Sequence, residues 1–570
     1  MEIETSVRRV ARSALRLLVI ATVMAPAGSL AAQEDMHRMH MEAPAGAWRM
    51  VPMDPNMPML PGLENAVPVV DPFLPGLGMD PAMIPEARPS EAVPLEGGDT
   101  LDISVSLVRR TVAGHETVMF GYNGQYPGPL LQAPKDATIV VRVTNEIQMP
   151  TTIHWHGVRL DNRFDGVPGV TQEAITRGES FTYEVLVPDA GMFWYHPHVR
   201  EDVQQDLGLF GNLLVTSPDP DYYGPAHRDE VFVVDDILMD EQGLLPWGES
   251  APTHALMGRF GNVMMVNGRT DHRLSVRRGE VVRFYVTNVA NSRTFNITFS
   301  GARMKAVASD VGRFEREQWI GSLVVAPAER YVVDVRFDEP GEQVIANTIQ
   351  AINHFRGEFY PHVDTLSVVT VTADEAPDPA VSTAFETLRQ HDDVVHDIDA
   401  FRPHFGREPD HELETTVRIQ NLPQPIVVSM EADTLYVPPM EWNDAMPMMN
   451  WLSTGEQVEW ILRDPRTGAE NDEIDWRFDV GDVVKIRIFN TPESFHPMNH
   501  PIHIHGQRFL VLSMDGVENR NLVWKDTAVV PVGSTMDVLV EMSNPGEWML
   551  HCHIAEHLHA GMMFGFTVVG

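Results

Sequence analysis

The chain has 570 residues, 43% of them hydrophobic, and carries 42 Lys and Arg against 80 Asp and Glu, a formal net charge of −38. That length exceeds what one core can organise and predicts about three or four domains at roughly 100–200 residues each. A surface this acidic repels phosphate and argues against nucleic acid as a partner. The single cysteine, Cys552, cannot close a disulfide within the chain, so ligation is its better use.

Residues 1–32 place Arg8, Arg9, Arg12 and Arg16 before the apolar run Leu17 to Ala25 and the small residues Ser29-Leu30-Ala31-Ala32. This is the order of a secretory signal peptide and predicts export, to a periplasm or the medium. The pair Arg8-Arg9 permits a twin-arginine route. No other apolar run is long enough to span a membrane. Residues 33–99 are rich in Met and Pro, with Met36-His37-Arg38-Met39-His40-Met41 followed by Met50, Met53, Met57, Met59, Met79 and Met83. They sustain no hydrophobic period and are expected to form a flexible segment.

From about Leu101 short β-branched runs take over, such as Ile139-Val140-Val141-Arg142-Val143-Thr144, broken by Gly, Pro and Asn turns. A glycine-acid turn followed by such a run recurs at Gly279-Glu280-Val281-Val282 and at Gly481-Asp482-Val483-Val484. The expected fold is all-β, with sandwiches at 100–218, 219–373 and 412–570 and the acidic stretch 374–411 as linker.

Histidines gather in four places: His154-Trp155-His156-Gly157, Trp194-Tyr195-His196-Pro197-His198, His500-Pro501-Ile502-His503-Ile504-His505-Gly506, and His551-Cys552-His553 with His557 and Met562 behind. Each contains a His-x-His step, which on a strand aims two imidazoles at one side. The last cluster joins thiolate, imidazole and thioether, the mixed donor set that selects copper. Four steps give eight imidazoles, enough for three ions sharing ligands two, three and three, and leave His500, Cys552 and His557 for a fourth. Scattered histidines of the middle sandwich, such as His227, His254, His272, His354 and His362, share no spacing and read as surface or structural residues.

Over about 100–570 these clusters resemble the four copper-binding motifs of the multicopper oxidases, the family of laccases and bacterial cuprous oxidases. The resemblance implies three cupredoxin-like Greek-key sandwiches and four copper ions. It makes His500, Cys552 and His557 the type 1 ligands with Met562 axial, and gives the type 2 ion to His154 and His503. The type 3 pair would take His156, His196 and His553 on one ion and His198, His505 and His551 on the other. Asp165, in Arg163-Phe164-Asp165-Gly166, matches the acid that the family places near the three-ion site to supply protons. Many bacterial members carry Glu directly after the last type 1 histidine. Here that residue is Leu558, which throws proton delivery onto Asp165, with Glu556 and His559 as lesser candidates.

The function so implied is an exported oxidase that takes single electrons at an exposed edge of His500 or His557 and reduces dioxygen to water. The middle sandwich, without a cluster, is expected to be a spacer, and the protein a monomer. The donor is a phenol, an aromatic amine or Cu(I), and the thioethers of 33–99 suit Cu(I) and a place in copper homeostasis. Met440, Met446, Met448 and Met449 fit core packing better. The rival reading is a copper store or carrier that works through the Met-rich segment and leaves the histidine clusters unexplained.

Overall fold

A computed structural model describes residues 72–248, 254–353, 358–422, 453 and 457–570. The expectations for the leader, for the Met-rich residues before 72 and for Met440, Met446, Met448 and Met449 lie outside the described residues.

Alternation builds the sheets. In Thr138–Asn145 every second side chain, Ile139, Val141 and Val143, is buried and the residues between face outward, the period of a strand with one face on a core. This strand pairs parallel with Thr100–Val112 and antiparallel with Ser180–Leu186, the crossover expected of a Greek key. The facing sheet of the first sandwich contains Leu130–Pro134, Gly211–Thr216, Gly191–His196 and His154–His156. The middle sandwich packs a six-stranded sheet against a five-stranded one. In the third, a sheet built around Val483–Asn490 and Thr535–Glu541 faces one that holds His500–Ile504 and Gly546–Cys552. The architecture is all-β, three cupredoxin-like sandwiches, as expected.

Two expectations need correction. The described part of the 33–99 segment is not a flexible tail, because Ala92–Pro94 pairs parallel with Leu130–Pro134. Further bonds fix it: Arg88 N–H donates to the Gly124 carbonyl and Glu91 N–H to Gln125 Oε1. Main-chain bonds of this kind demand no side-chain period, so the sequence gives no sign of them. The 374–411 stretch, in turn, carries helices at Pro379–Phe385 and Asp392–Asp399. Asp378 caps the first, its side chain accepting from Ala380 N–H, with Pro379 at the start of the helix. Phe385 packs against Val281 of the middle sandwich, and Ile398 joins Leu510, Leu512 and Leu539 of the third.

Among the described residues no helix is long and apolar enough to cross a membrane.

Candidate metal centres

Strand register explains how distant clusters meet. In the first sandwich His154 lies opposite His196, and in the third His503 lies opposite His551 and Ile502 opposite Cys552. With i and i+2 on one side, each pairing turns four imidazoles into one space. The ligand atoms fall into groups mutually within 4.8 Å: His154, His156 and His503; His156, His196 and His553; His198, His505 and His551; and His500, Cys552 and His557. Three of these groups mix residues of the first and third sandwiches. All are buried. Met562 is fully buried beside the last group, its N–H donating to the His557 carbonyl and its own carbonyl accepting from Cys552 N–H.

The hydrogen bonds show what these groups fit. Nδ1–H of His154 donates to the Asp165 carbonyl at 2.8 Å, that of His196 to Pro197 at 2.9 Å, that of His503 to Asp526 at 2.8 Å and that of His551 to Cys552 at 2.8 Å. His505 Nδ1 reaches Asp165 Oδ2 and His198 Nδ1 reaches Glu201 Oε1, each at 2.8 Å. His156 is turned the other way: Nε2 lies 3.1 Å from Asp526 Oδ1 and 3.0 Å from Thr527 Oγ1. The remaining nitrogen, Nε2 of His154, His196, His198 and His503 and Nδ1 of His156, is buried without a protein partner.

Burial, reinforced by neighbouring rings, holds His156, His196, His503, His505 and His551 well below the usual histidine range and His553 down to about 3, so these rings are neutral. His198 is raised instead, since the Glu201 carboxylate overrides its burial. His505 and His551 spend their one proton on Nδ1, so their Nε2 lone pairs face each other across 3.0 Å. Buried lone pairs converging without a proton between them are the donor set of a transition-metal cation.

In the fourth group Cys552 Sγ lies 3.5 Å from His500 Nδ1 and 3.8 Å from His557 Nδ1, which are 3.3 Å apart. Burial pushes the Cys552 thiol up and His500 down to about 3. The expected exposed histidine edge is absent: His500 is 1% exposed and His557 0%. Trp460 stacks on His557 with centroids 4.0 Å apart, meets His500 edge-on at 4.9 Å, and donates Nε1–H to the Ala255 carbonyl. Ala255, Leu256, Met257 and Phe260 of the middle sandwich join the same core. A second middle-sandwich residue, Arg330, forks onto Asp526 beside His156. The middle sandwich is therefore no mere spacer.

Asp165 is buried and reaches two clusters at once, with Oδ1 3.2 Å from His154 Nδ1 as well as the His505 contact. Glu556 faces elsewhere: it accepts from Asn291 Nδ2–H at 3.0 Å and Ser292 Oγ–H at 2.7 Å, and burial pushes it up to about 7. His559 is exposed. Leu558 packs with Val167 and Met549.

Gly166, next to Asp165, has φ +84°, and a Cβ there would lie 2.0 Å from the Ile153 carbonyl oxygen. Gly166→Ala is expected to destabilise the fold by about 1–3 kcal/mol from the backbone alone, and by more from the overlap, read as a lower denaturation midpoint.

Family profiles described as multicopper oxidase match residues 104–220, 237–366 and 442–569. The chain belongs to the multicopper oxidase family. Its members are oxidoreductases that use oxygen and bind copper, and the donor groups above suit that metal. Among relatives, multicopper oxidase MmcO of Mycobacterium tuberculosis is 26% identical over 77% of this chain and 81% of its own length. Laccase-1 of Cryptococcus neoformans is 25% identical over 83% and 80%. Among solved structures, a Campylobacter jejuni multicopper oxidase described as a metallo-oxidase aligns with TM-score 0.64 at 21% identity, covering 89% of this chain and 99% of its own.

Sequence reasoning missed Glu201, Asp526, Thr527, Arg330 and Trp460. Only Glu201, three residues after His198, stands at a spacing that ties it to a histidine cluster.

A buried acidic patch near the same junction carries a pH dependence. Asp206, paired with Arg259 at 2.9 Å, is pushed up to about 8, chiefly by burial. Between about pH 4 and 8 the native state keeps a proton that the unfolded chain has released. The resulting stabilisation is full below pH 4 and is lost as pH rises through 8, at about 1.4 kcal/mol per unit as an upper bound. Copper-free protein should melt at lower temperature at pH 8.5 than at pH 6, and Asp206→Asn should flatten that slope. An unchanged slope would refute the assignment.

Proposed function

We propose that this multicopper oxidase is exported, accepts electrons one at a time from a small donor, and passes them to dioxygen with four copper ions as cofactors. His500, Cys552 and His557, with Met562 beside them, would hold one ion, and His154 and His503 another. His156, His196 and His553 would hold a third, and His198, His505 and His551 a fourth. When bound, copper supplies one-electron oxidation at the sulfur site and the four-electron reduction of dioxygen to water at the histidine site. The observation that carries this reading is the separation of the donors into one sulfur-containing group and three histidine groups, with His551 and Cys552 neighbours at the end of one strand, Gly546–Cys552, and His553 directly after it.

The chain's own contribution follows from that strand. Cys552 is bonded to His551 and His553, so a few covalent bonds join the two sites, and the His551 Nδ1–H to Cys552 carbonyl bond offers a shorter path. The burial of every ring keeps bulk water off the histidines. Asp165 orients His154 and His505 and is the acid placed to deliver protons.

The Trp460 cover favours a small donor, and Cu(I) fits it better than a bulky phenol. The leader-like residues 1–32 support a periplasmic or secreted location, and the chain is taken as a monomer. Copper content, visible and EPR spectra, and oxygen uptake with Cu(I) and a phenol in parallel test the reading. Four ions, a strong blue thiolate band and oxygen consumption are expected, with Cu(I) the faster donor. One ion and no oxygen uptake would move the protein to storage or carriage.

Removal of residues 33–71 is expected to slow Cu(I) oxidation and spare phenol oxidation. The cut stops before 72 because the residues beyond it belong to the fold. Equal slowing of both donors would remove the Met-rich segment from the donor route.

A further inference from the structure

We infer that Arg330, a residue of the middle sandwich, is a positioning residue for the histidine site, acting through Asp526 to set the rings of His156 and His503. The inference rests on the copper reading above and goes beyond it, since it places part of that site's machinery in the sandwich that contributes no ligand.

Arg330 begins the strand Arg330–Phe337 and is fully buried. All five of its N–H groups are engaged. Nε–H donates to the Met192 carbonyl at 3.0 Å, on the first-sandwich strand that ends at His196. Nη1 donates to Ala328 O at 3.2 Å and Asp526 Oδ1 at 2.7 Å, and Nη2 to Asp310 O at 3.2 Å and Asp526 Oδ2 at 2.6 Å. One guanidinium thus ties all three sandwiches together. The turn before it is fixed as well: Ala328 sits at φ +72°, its N–H on the Asn288 carbonyl, and Glu329 Oε2 accepts from Ala326 N–H.

Asp526 passes that placement on. Its Oδ1 accepts from Thr527 Oγ1–H at 2.9 Å and faces His156 Nε2, while its carbonyl accepts from His503 Nδ1–H. Thr527 Oγ1 also lies 3.1 Å from His503 Nδ1. The two rings, from the first and third sandwiches, stack at 3.8 Å with planes 17° apart. His156 presents Nδ1 inward, because a carboxylate stands at its Nε2, and that carboxylate has its direction fixed by a bidentate fork that a lysine cannot reproduce.

Gly157 makes the room. A Cβ at this residue, φ +79°, would lie 2.2 Å from Asp526 Oδ2 and 2.6 Å from Arg330 Nη2. The glycine that follows His156 is thus required by the ion pair. A buried pair adds little net stability compared with apolar packing, so its value is in direction, and loss of such outer partners typically costs about 10–100-fold in metal affinity.

The test compares wild type, Arg330→Lys and Arg330→Met as full-length protein loaded with limiting copper. The expected result for Arg330→Met is a blue band of normal intensity with about 10–100-fold weaker copper binding at the histidine site and an altered type 2 EPR signal. Arg330→Lys, which keeps the charge and loses the fork, should fall between the two. A lower melting temperature with wild-type copper affinity and an unaltered EPR signal would reduce Arg330 to a structural ion pair and overturn the inference. Should Arg330→Met not fold, Arg330→Lys decides alone: a shifted type 2 signal beside a normal blue band supports the role, and an unshifted one overturns it. Wild type binding fewer than four ions at saturating copper would instead count against the copper reading itself.

Discussion

Cys552→Ser is expected to abolish oxidation of every donor while the protein folds and keeps its histidine-bound copper. Cys552 is the only cysteine, fully buried, with its sulfur against both His500 and His557. Serine has nearly the same shape, and its hydroxyl can accept the Ile554 N–H that now reaches the sulfur at 3.5 Å. The cost to folding is therefore small, about 1–2 kcal/mol for an imperfectly satisfied buried hydroxyl. The change in ligand chemistry is large, since a hydroxyl is hard and stays protonated where a thiolate is soft and is deprotonated by the metal. His551 and His553 keep their backbone, because Cys552 pairs through the main chain with Ile502. Copper should fall by one ion per chain, the blue band should vanish, and oxygen uptake should drop below detection with Cu(I) and phenol alike. Retained uptake with either donor would mean that electrons enter elsewhere.

The difference between what could and could not be read from the sequence follows from distance along the chain. A His-x-His step is a local pattern with a local consequence, and in strands it fixes the facing of two rings before any tertiary structure is known. Four such steps, with a cysteine inside one of them, mark the donors, and the resemblance to the multicopper oxidases groups them. Some partners of those rings are local, such as Glu201 three residues after His198, but the carboxylates that join the first and third sandwiches carry no local pattern. Asp526 lies 370 residues from His156 and Asp165 340 from His505, and only the packing of one sandwich on another brings them together.

Arg330 is a further step away, in a sandwich with no cluster to draw attention to it. The cover over the fourth group has the same origin: Trp460 and Ala255 are 205 residues apart, and nothing in either neighbourhood marks a lid. One signal was present and unused. Glycine follows His156 in the first cluster and His505 in the third, and at Gly157 and Gly506 a positive φ and close side chains, Asp526 and Arg330 against the one and Trp548 against the other, demand that residue. The Asp378-Pro379 pair is likewise a helix start inside the expected linker.

Asp165→Asn is expected to lower kcat by at least about 100-fold, the scale on which a positioned acid contributes, without loss of copper. The Asp165 N–H closes the turn Asn162–Phe164 on the Asn162 carbonyl, and the carboxylate reaches His505 through Oδ2 and His154 through Oδ1, while the Asp165 carbonyl holds His154 Nδ1–H. Asparagine keeps that carbonyl and one side-chain oxygen, so both rings retain an acceptor and the ligand geometry should survive. What it loses is the capacity to take up and release a proton. Position and proton transfer therefore separate. A variant with full copper, an unchanged blue band, a much lower kcat and a flattened pH profile assigns Asp165 to proton delivery. A variant that loses copper in step with activity assigns it to holding the rings. Because Leu558 occupies the position where many family members carry a glutamate, and Glu556 is committed to Asn291 and Ser292, the first outcome is the one expected.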